Sequence, residues 1–225
     1  MVYLRFTASY SIFYATITLV LVNLINLLIK NEIKKTLDDQ KVGERIREGF
    51  KIAIVGPTNA GKSSLLNALI EKQIFPTDIL NGNTKATKTY IWDKKFKSLN
   101  KVELIDTPGI DEVNNSNEEE INFNYLLDTD LILFVIDSDI TRIDLNAIKE
   151  LLRNNKPILL VLNRCDQWNL EETKLILTSI HQKLSFCNQK IKVAIVSSAP
   201  REARMKSDGT VRSCLLYQSD AADEQ

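Results

Sequence analysis

The chain has 225 residues, room for one α/β domain and a small appendage, and its 44% hydrophobic and 26% charged residues exclude a disordered chain. Lys+Arg and Asp+Glu balance at 29 each, so no net field draws it to nucleic acid and nothing in the charge gives direct evidence of such a partner. Three cysteines without metal spacing (Cys165, Cys187, Cys214) and a lone histidine, His181, argue against a disulfide framework and against a zinc centre.

The first element in chain order is apolar. No charged residue occurs from Phe6 to Ile29, and Tyr10 to Ile29 reads YSIFYATITLVLVNLINLLI. About 20 apolar residues in helical form cross a bilayer core, so residues 1–30 are expected to hold a single-pass transmembrane helix. Only Arg5 precedes the run, whereas Lys30, Lys34, Lys35, Lys41, Arg45 and Arg47 follow it. The positive-inside rule then sets the remainder on the cytoplasmic or stromal side of a membrane. A cleaved signal peptide fits less well, because the run is long and no small-residue cleavage site follows. The competing reading is a buried or interfacial helix with Asn23, Asn26 and Lys30 as its polar edge. Residues 31–49, where Ile33, Leu37, Val42 and Ile46 punctuate mixed charge, read as an amphipathic connector.

Strands and helices then alternate. Apolar, β-branched runs predict strands at Phe50–Val55, Tyr90–Phe96, Val102–Ile105, Leu131–Ile136, Ile158–Leu162 and Ile191–Val196. Helical periodicity lies between them at Ser64–Glu71, Glu118–Leu127, Ile143–Arg153 and Glu171–Leu184. Near-continuous apolar strands alternating with helices predict an α/β domain over residues 50–199, a mostly parallel sheet with helices on both faces.

Four loops at predicted strand ends carry the chemistry. Gly56-Pro-Thr-Asn-Ala-Gly61-Lys62-Ser63 stands between the first strand and a helix opening with Ser64, the context that a G-x-x-x-x-G-K-S phosphate loop requires. Its glycines let backbone N–H groups turn inward, and the helix N-terminus adds partial positive charge. Lys62 is expected to reach the β- and γ-phosphates, and the Ser63 hydroxyl to ligate Mg²⁺. Asp106-Thr-Pro-Gly109 follows the third strand; its carboxylate suits Mg²⁺, and Gly109 lets its N–H approach the γ-phosphate. Alone, such a tetrapeptide is an ordinary turn. Asn163-Arg164-Cys165-Asp166 follows the fifth strand, where a carboxylate with two acceptors matches the N1–H and amine of guanine but not adenine. Ser197-Ser198-Ala199 follows the last strand, where a backbone N–H is placed for the guanine O6.

In this order the motifs resemble the G-motifs of the translation-factor-type GTPases, and GPTNAGKSSLLNAL is most similar to the Era-like and TrmE-like branch. DTPGIDEV, DLILFVIDSDITR and the run to Gly209 resemble a cyanobacterial and plastid Era-like group, the resemblance covering roughly residues 45–212. It implies a P-loop G domain, Mg²⁺-dependent GTP binding, slow hydrolysis to GDP and a switch cycle read by an effector or activating protein. Gly56, Asn59, Ala60, Gly61, Lys62, Ser63 and Ser64, with Asn163, Arg164, Asp166, Ser198 and Ala199, would hold nucleotide. Ser63, Asp106 and a switch-I threonine would hold the metal. That threonine is Thr84 by spacing from Ser63 and Thr87 by spacing to Asp106, and Thr84 is preferred. Asn59 matches the asparagine that helps bind K⁺ in TrmE-like members, or is a loop-stabilising amide. Two departures stand out: Arg164 replaces the usual Lys, and Ile110 stands where Ras-like members carry a catalytic Gln. A GTP-dependent recruitment module with negligible intrinsic hydrolysis is the alternative.

Residues 200–225 read as a polar tail without the closing helix such a sheet needs, and residues 214–225 resemble an artefactual extension. On that reading, apolar surface beside Ile191–Val196 and Phe50–Val55 is expected to lie exposed.

Overall fold

A computed structural model describes residues 26–35, 49–75, 87–93, 99, 101–111, 126–187 and 191–198, together with the backbone at 201–205 and 211–215. Helix α1 is described over residues 26–35. There follow β1 (Phe50–Val55), α2 (Lys62–Ile70), β2 (Lys88–Trp92), β3 (Val102–Asp106), β4 (Leu131–Ile136) and α3 (Arg142–Arg153). The chain continues with β5 (Ile158–Leu162), a 3₁₀ turn at Cys165–Gln167, α4 (Leu170–Lys183), β6 (Lys192–Ile195), β7 (Arg201–Met205) and β8 (Val211–Leu215).

Six strands form one sheet in the order β2-β3-β1-β4-β5-β6, with β7 and β8 paired separately. Within this six-stranded sheet β2 alone runs antiparallel to its neighbour; β3, β1, β4, β5 and β6 are parallel. Their C-terminal ends therefore open at one edge, with β1 flanked by β3 on one side and β4 on the other. Parallel strands in this arrangement offer a ligand crevice at that edge. Every residue of β4 is buried, which is why its sequence runs without polar interruption.

Strand alternation divides the core between two faces. On one, Ile52, Ile54, Leu131, Leu133, Leu159 and Val161 share an apolar cluster with Leu65, Leu66 and Leu69 of α2. On the other, Ala53, Val55, Ile132, Phe134, Leu160 and Leu162 meet Ala147, Ile148 and Leu151 of α3 and Ile180 of α4. Both covering helices on that second face begin at capping boxes, Thr141 with Asp144 and Asn169 with Glu172, which fix where they start. Lys183 and Ser179 of α4 both donate to the Asp139 carboxylate, at 2.7 Å each, and so pin α4 beside the end of β4.

The expected bare face is corrected by α1. Ile29 and Ile33, one helical turn apart, are 0% and 3% exposed and belong to the same cluster as Phe50, Ile52, Leu131, Ala194 and Val196. Glu32 of α1 forms an ion pair with Lys192 of β6. The apolar flank of β6 and β1 that was expected to lie open is covered from the N-terminal side of the chain. The transmembrane expectation changes with it. At the end of the expected span, Ile29 is buried in the cluster on the sheet, and Asn26 is buried and not on a polar edge. Residues 1–25 fall outside the described residues, and among the described ones no helix is long and apolar enough to cross a membrane.

Other boundaries moved little. Strand β2 begins and ends earlier than expected, because its antiparallel register against β3 runs from Lys88 opposite Asp106 to Trp92 opposite Val102. The helix expected at Glu118–Leu127 lies outside the described residues except for Leu126 and Leu127. In the tail, β7 and β8 pair antiparallel, drawing Cys214 and Leu215 opposite Glu202 and Arg201.

Candidate nucleotide site

The loop after β1 admits no side chain at its two ends. A Cβ on Gly56 would lie 2.0 Å from the Val135 carbonyl oxygen, and one on Gly61, at φ +85°, would lie 2.3 Å from Asn163 Nδ2. Glycine is what lets the loop close on β4 and on the loop after β5. Gly61 caps α2 without a side-chain hydrogen bond, and no acidic residue stands in the first turn. The N-terminal N–H groups near Ser63 and Ser64 thus point their partial charge at the crevice without a competing carboxylate in that turn. Lys62, 7% exposed, donates from Nζ to the carbonyls of Gly56 at 3.0 Å and Pro57 at 2.7 Å. Its ammonium lies across the loop that would receive phosphate.

A metal position adjoins it. Ser63 Oγ donates to Asp106 Oδ2 at 3.0 Å, while Asp106 Oδ1 is buried without a hydrogen-bond partner. Burial, first of all, raises the Asp106 pKa, against the lowering pull of the Ser63 hydrogen bond and the Lys62 charge. A buried carboxylate oxygen left unpaired is costly, and a hard divalent cation is the partner that would relieve it. Two oxygen donors, with phosphate oxygens and water for the remainder, suit Mg²⁺. Among the described residues no group of three or more His, Cys, Asp or Glu could hold a metal by itself. Of the two candidate threonines, Thr84 lies outside the described residues, and Thr87 is exposed just ahead of β2.

The segment after Asp106 lies on the phosphate loop. Ile110 N–H donates to the Gly56 carbonyl at 3.2 Å, and a Cβ on Gly109 would stand 2.3 Å from Thr58 Cγ2. The Ile110 side chain is 1% exposed, in the cluster with Ala53 and Val55. It faces the core, so no side chain at that position orients a water. Asp111 receives the Thr58 N–H at 2.7 Å and the Thr58 hydroxyl as well. Burial raises its pKa, but those two hydrogen bonds and the charge of Lys62 outweigh it and hold the carboxyl below its ordinary value.

Three loops are braced by one amide. Asn163, 1% exposed, donates to the Ala60 carbonyl at 2.9 Å and accepts the Ser198 N–H at 3.0 Å. Arg164, in left-handed backbone at φ +57°, pairs with Asp137 at 3.1 Å and donates to the Asn59 carbonyl. The Ser197 hydroxyl donates to Asp166 Oδ1. Sequence reasoning assigned Ser198 and Ala199 to the base and passed over Ser197; of tandem serines after a strand, only the fold shows which faces Asp166. Ala199 lies outside the described residues. Cys165 sits within this motif, but burial and the adjoining Asp166 charge push its thiol up to about 11, so it remains protonated and inert near neutrality.

One expectation follows for the base. Asp166→Asn keeps the shape but replaces two acceptor oxygens with one acceptor and one donor. It should weaken GTP by about 100-fold or more and favour xanthosine nucleotides. Competition binding reads this directly, and equal binding of ATP and GTP by the unaltered protein would remove the assignment.

Comparisons with known proteins agree with this geometry. A family model described as 50S ribosome-binding GTPase matches residues 51–164. The tRNA modification GTPase MnmE of Pelagibacter ubique is 44% identical over 143 residues, covering 61% of this chain and 30% of that protein. The GTPase Era of Buchnera aphidicola is 33% identical over 152 residues, covering 67% of this chain and 51% of Era. A crystal structure of Era with MgGDPNP and a segment of 16S ribosomal RNA superposes with TM-score 0.50 at 25% identity, over 66% of this chain and 51% of Era. The chain thus spans between about a third and a half of the relatives it matches. From Lys51 through Arg164 it carries the phosphate loop, the Asp106 segment and the start of the base motif, and it belongs to the 50S ribosome-binding GTPase family.

Proposed function

We propose that this GTPase is a switch tethered to a membrane by the residues that precede α1, with its G domain on the cytoplasmic or stromal side. What carries the nucleotide part of the reading is the convergence at one sheet edge of Lys62, the unpaired Asp106 Oδ1 and the Asn163–Asp166–Ser197 set. Phosphoryl transfer asks mainly for positioning and charge stabilisation. Lys62 and the loop N–H groups would take up charge on the β- and γ-phosphates, and Ser63 and Asp106 would hold Mg²⁺, which would supply further charge neutralisation there. The membrane part rests on sequence: Tyr10 to Ile25, the part of the expected Tyr10–Ile29 span that precedes the described residues, is uncharged and mostly apolar. Full-length protein should sediment with membranes and resist carbonate. Release by salt alone would indicate an interfacial helix instead.

A second reading is favoured by Ile110. With its side chain in the core, the attacking water has to be held by backbone, by a K⁺ ion near Asn59, or by a partner protein. If none acts in the isolated chain, the protein recruits an effector in its GTP form and leaves turnover to that partner. Single-turnover hydrolysis in K⁺ and in Na⁺, with the full chain, separates the two.

A further inference from the structure

Asp111 lies outside every nucleotide motif, yet it makes the most specific contact on the phosphate loop that nucleotide is not expected to use. Both of its carboxylate oxygens are engaged by a single residue, Thr58, the third of the loop and 53 positions away in sequence. The approach is close along its length: Gly109 has no room for a Cβ beside Thr58, Ile110 N–H is tied to Gly56, and Asp111 closes the contact. Gly109 belongs to the segment that has to register the third phosphate. A fixed negative charge is therefore clasped to the loop where another negative charge has to arrive, and both draw on Lys62.

The geometry points to Asp111 as the residue that sets this protein's preference between GDP and GTP: its carboxylate clasps Thr58 when no γ-phosphate is present and is driven off when one binds. This rests on the assignment of the loop to GTP and adds a device to it. The clasp favours the diphosphate state, since GDP leaves the Thr58 contact intact, while GTP has to break two hydrogen bonds or tolerate two like charges side by side. Removing the charge while keeping the shape should then tighten triphosphate binding selectively, because a ligand shifts an equilibrium only by its differential affinity for the two states.

The test is a pair of variants in the full chain, Asp111→Asn and Thr58→Val, titrated with fluorescent GDP and with a non-hydrolysable GTP analogue at constant Mg²⁺. For Asp111→Asn the ratio of triphosphate to diphosphate affinity should rise by about tenfold, the effect of one partly screened charge at close range. Thr58→Val removes the hydroxyl but leaves the N–H, and should move the ratio in the same direction by about threefold, close to the loss of one hydrogen bond. A residue with a merely structural role would change both affinities together. An unchanged ratio in both variants, or a shift towards GDP, overturns the proposal. If one variant does not fold, the other decides. Failure of the unaltered protein to bind either nucleotide would instead remove the GTP-site assignment itself.

Discussion

Lys62→Ala is expected to lower GTP hydrolysis by a factor of about 10²–10³, with the protein still folded. Deleting one preorganised charge-stabilising group from a reacting site costs on the order of 3–4 kcal/mol of transition-state stabilisation. Here the ammonium is 7% exposed and already aimed across the loop by the Gly56 and Pro57 carbonyls, so no solvent cation takes its place at low cost. Ser63→Ala should act at the same step for a different reason, leaving Asp106 as the only described side chain at the metal position. Single-turnover hydrolysis at saturating GTP reads both, with melting temperature as the control for folding. Near-unaltered hydrolysis in either variant would place the chemistry elsewhere.

Ile29→Ala and Ile33→Ala should each destabilise the domain by about 2–5 kcal/mol, the usual range for emptying a fully buried aliphatic position. The two residues are neighbours on one stripe, so the double variant should cost less than the sum. Even so it approaches the total stability of a small domain, about 5–15 kcal/mol. A chain beginning at Thr36 should accordingly be marginal or aggregate, with nucleotide partly restoring it by mass action. Starting at Lys30 instead, which on sequence grounds looked like a clean cut between membrane helix and connector, divides α1 and discards Ile29 while keeping Ile33. Urea titration of the full chain and the variants reads the effect. A change below about 1 kcal/mol for both single variants would be no more than a surface substitution produces and would mean that α1 does not close the sheet.

The central strands were legible because a sheet covered on both faces leaves an unbroken apolar run, and Leu131–Ile136 and Ile158–Leu162 are such runs. The phosphate loop was legible because its glycines answer to steric demands that hold wherever such a loop occurs, and Gly56 and Gly61 both meet atoms within 2.3 Å. Contacts between loops carry no such mark. Thr58 meeting Asp111, or Ser197 facing Asp166, depends on how two strand ends come together, and no spacing in the chain encodes it. The end of the N-terminal apolar run, Asn26 to Ile29, was misread for a physical reason. An apolar run that ends in a core helix looks the same throughout. The distinguishing signal was present in its last turns: Asn26, Ile29 and Ile33 are buried, while Leu27, Lys30, Lys34 and Lys35 are exposed. That is the stripe of an amphipathic helix rather than the uniform surface of a lipid-facing one.

The seating of α1 also sets a timetable for biosynthesis. Glu32 and its partner Lys192 are 160 positions apart, and at about 5–20 residues per second the ribosome needs roughly 8 to 32 s to make what lies between them. Until then α1 lacks the strand that completes its seat, since β6, with which it makes its ion pair, is the last strand of that sheet to emerge. Its apolar stripe can rest earlier on Phe50, Ile52 and Leu131, but Ala194 and Val196 complete that cluster only at the end. Complete docking of α1, which is made before every strand of the sheet, is thus a late step whose timing translation speed sets.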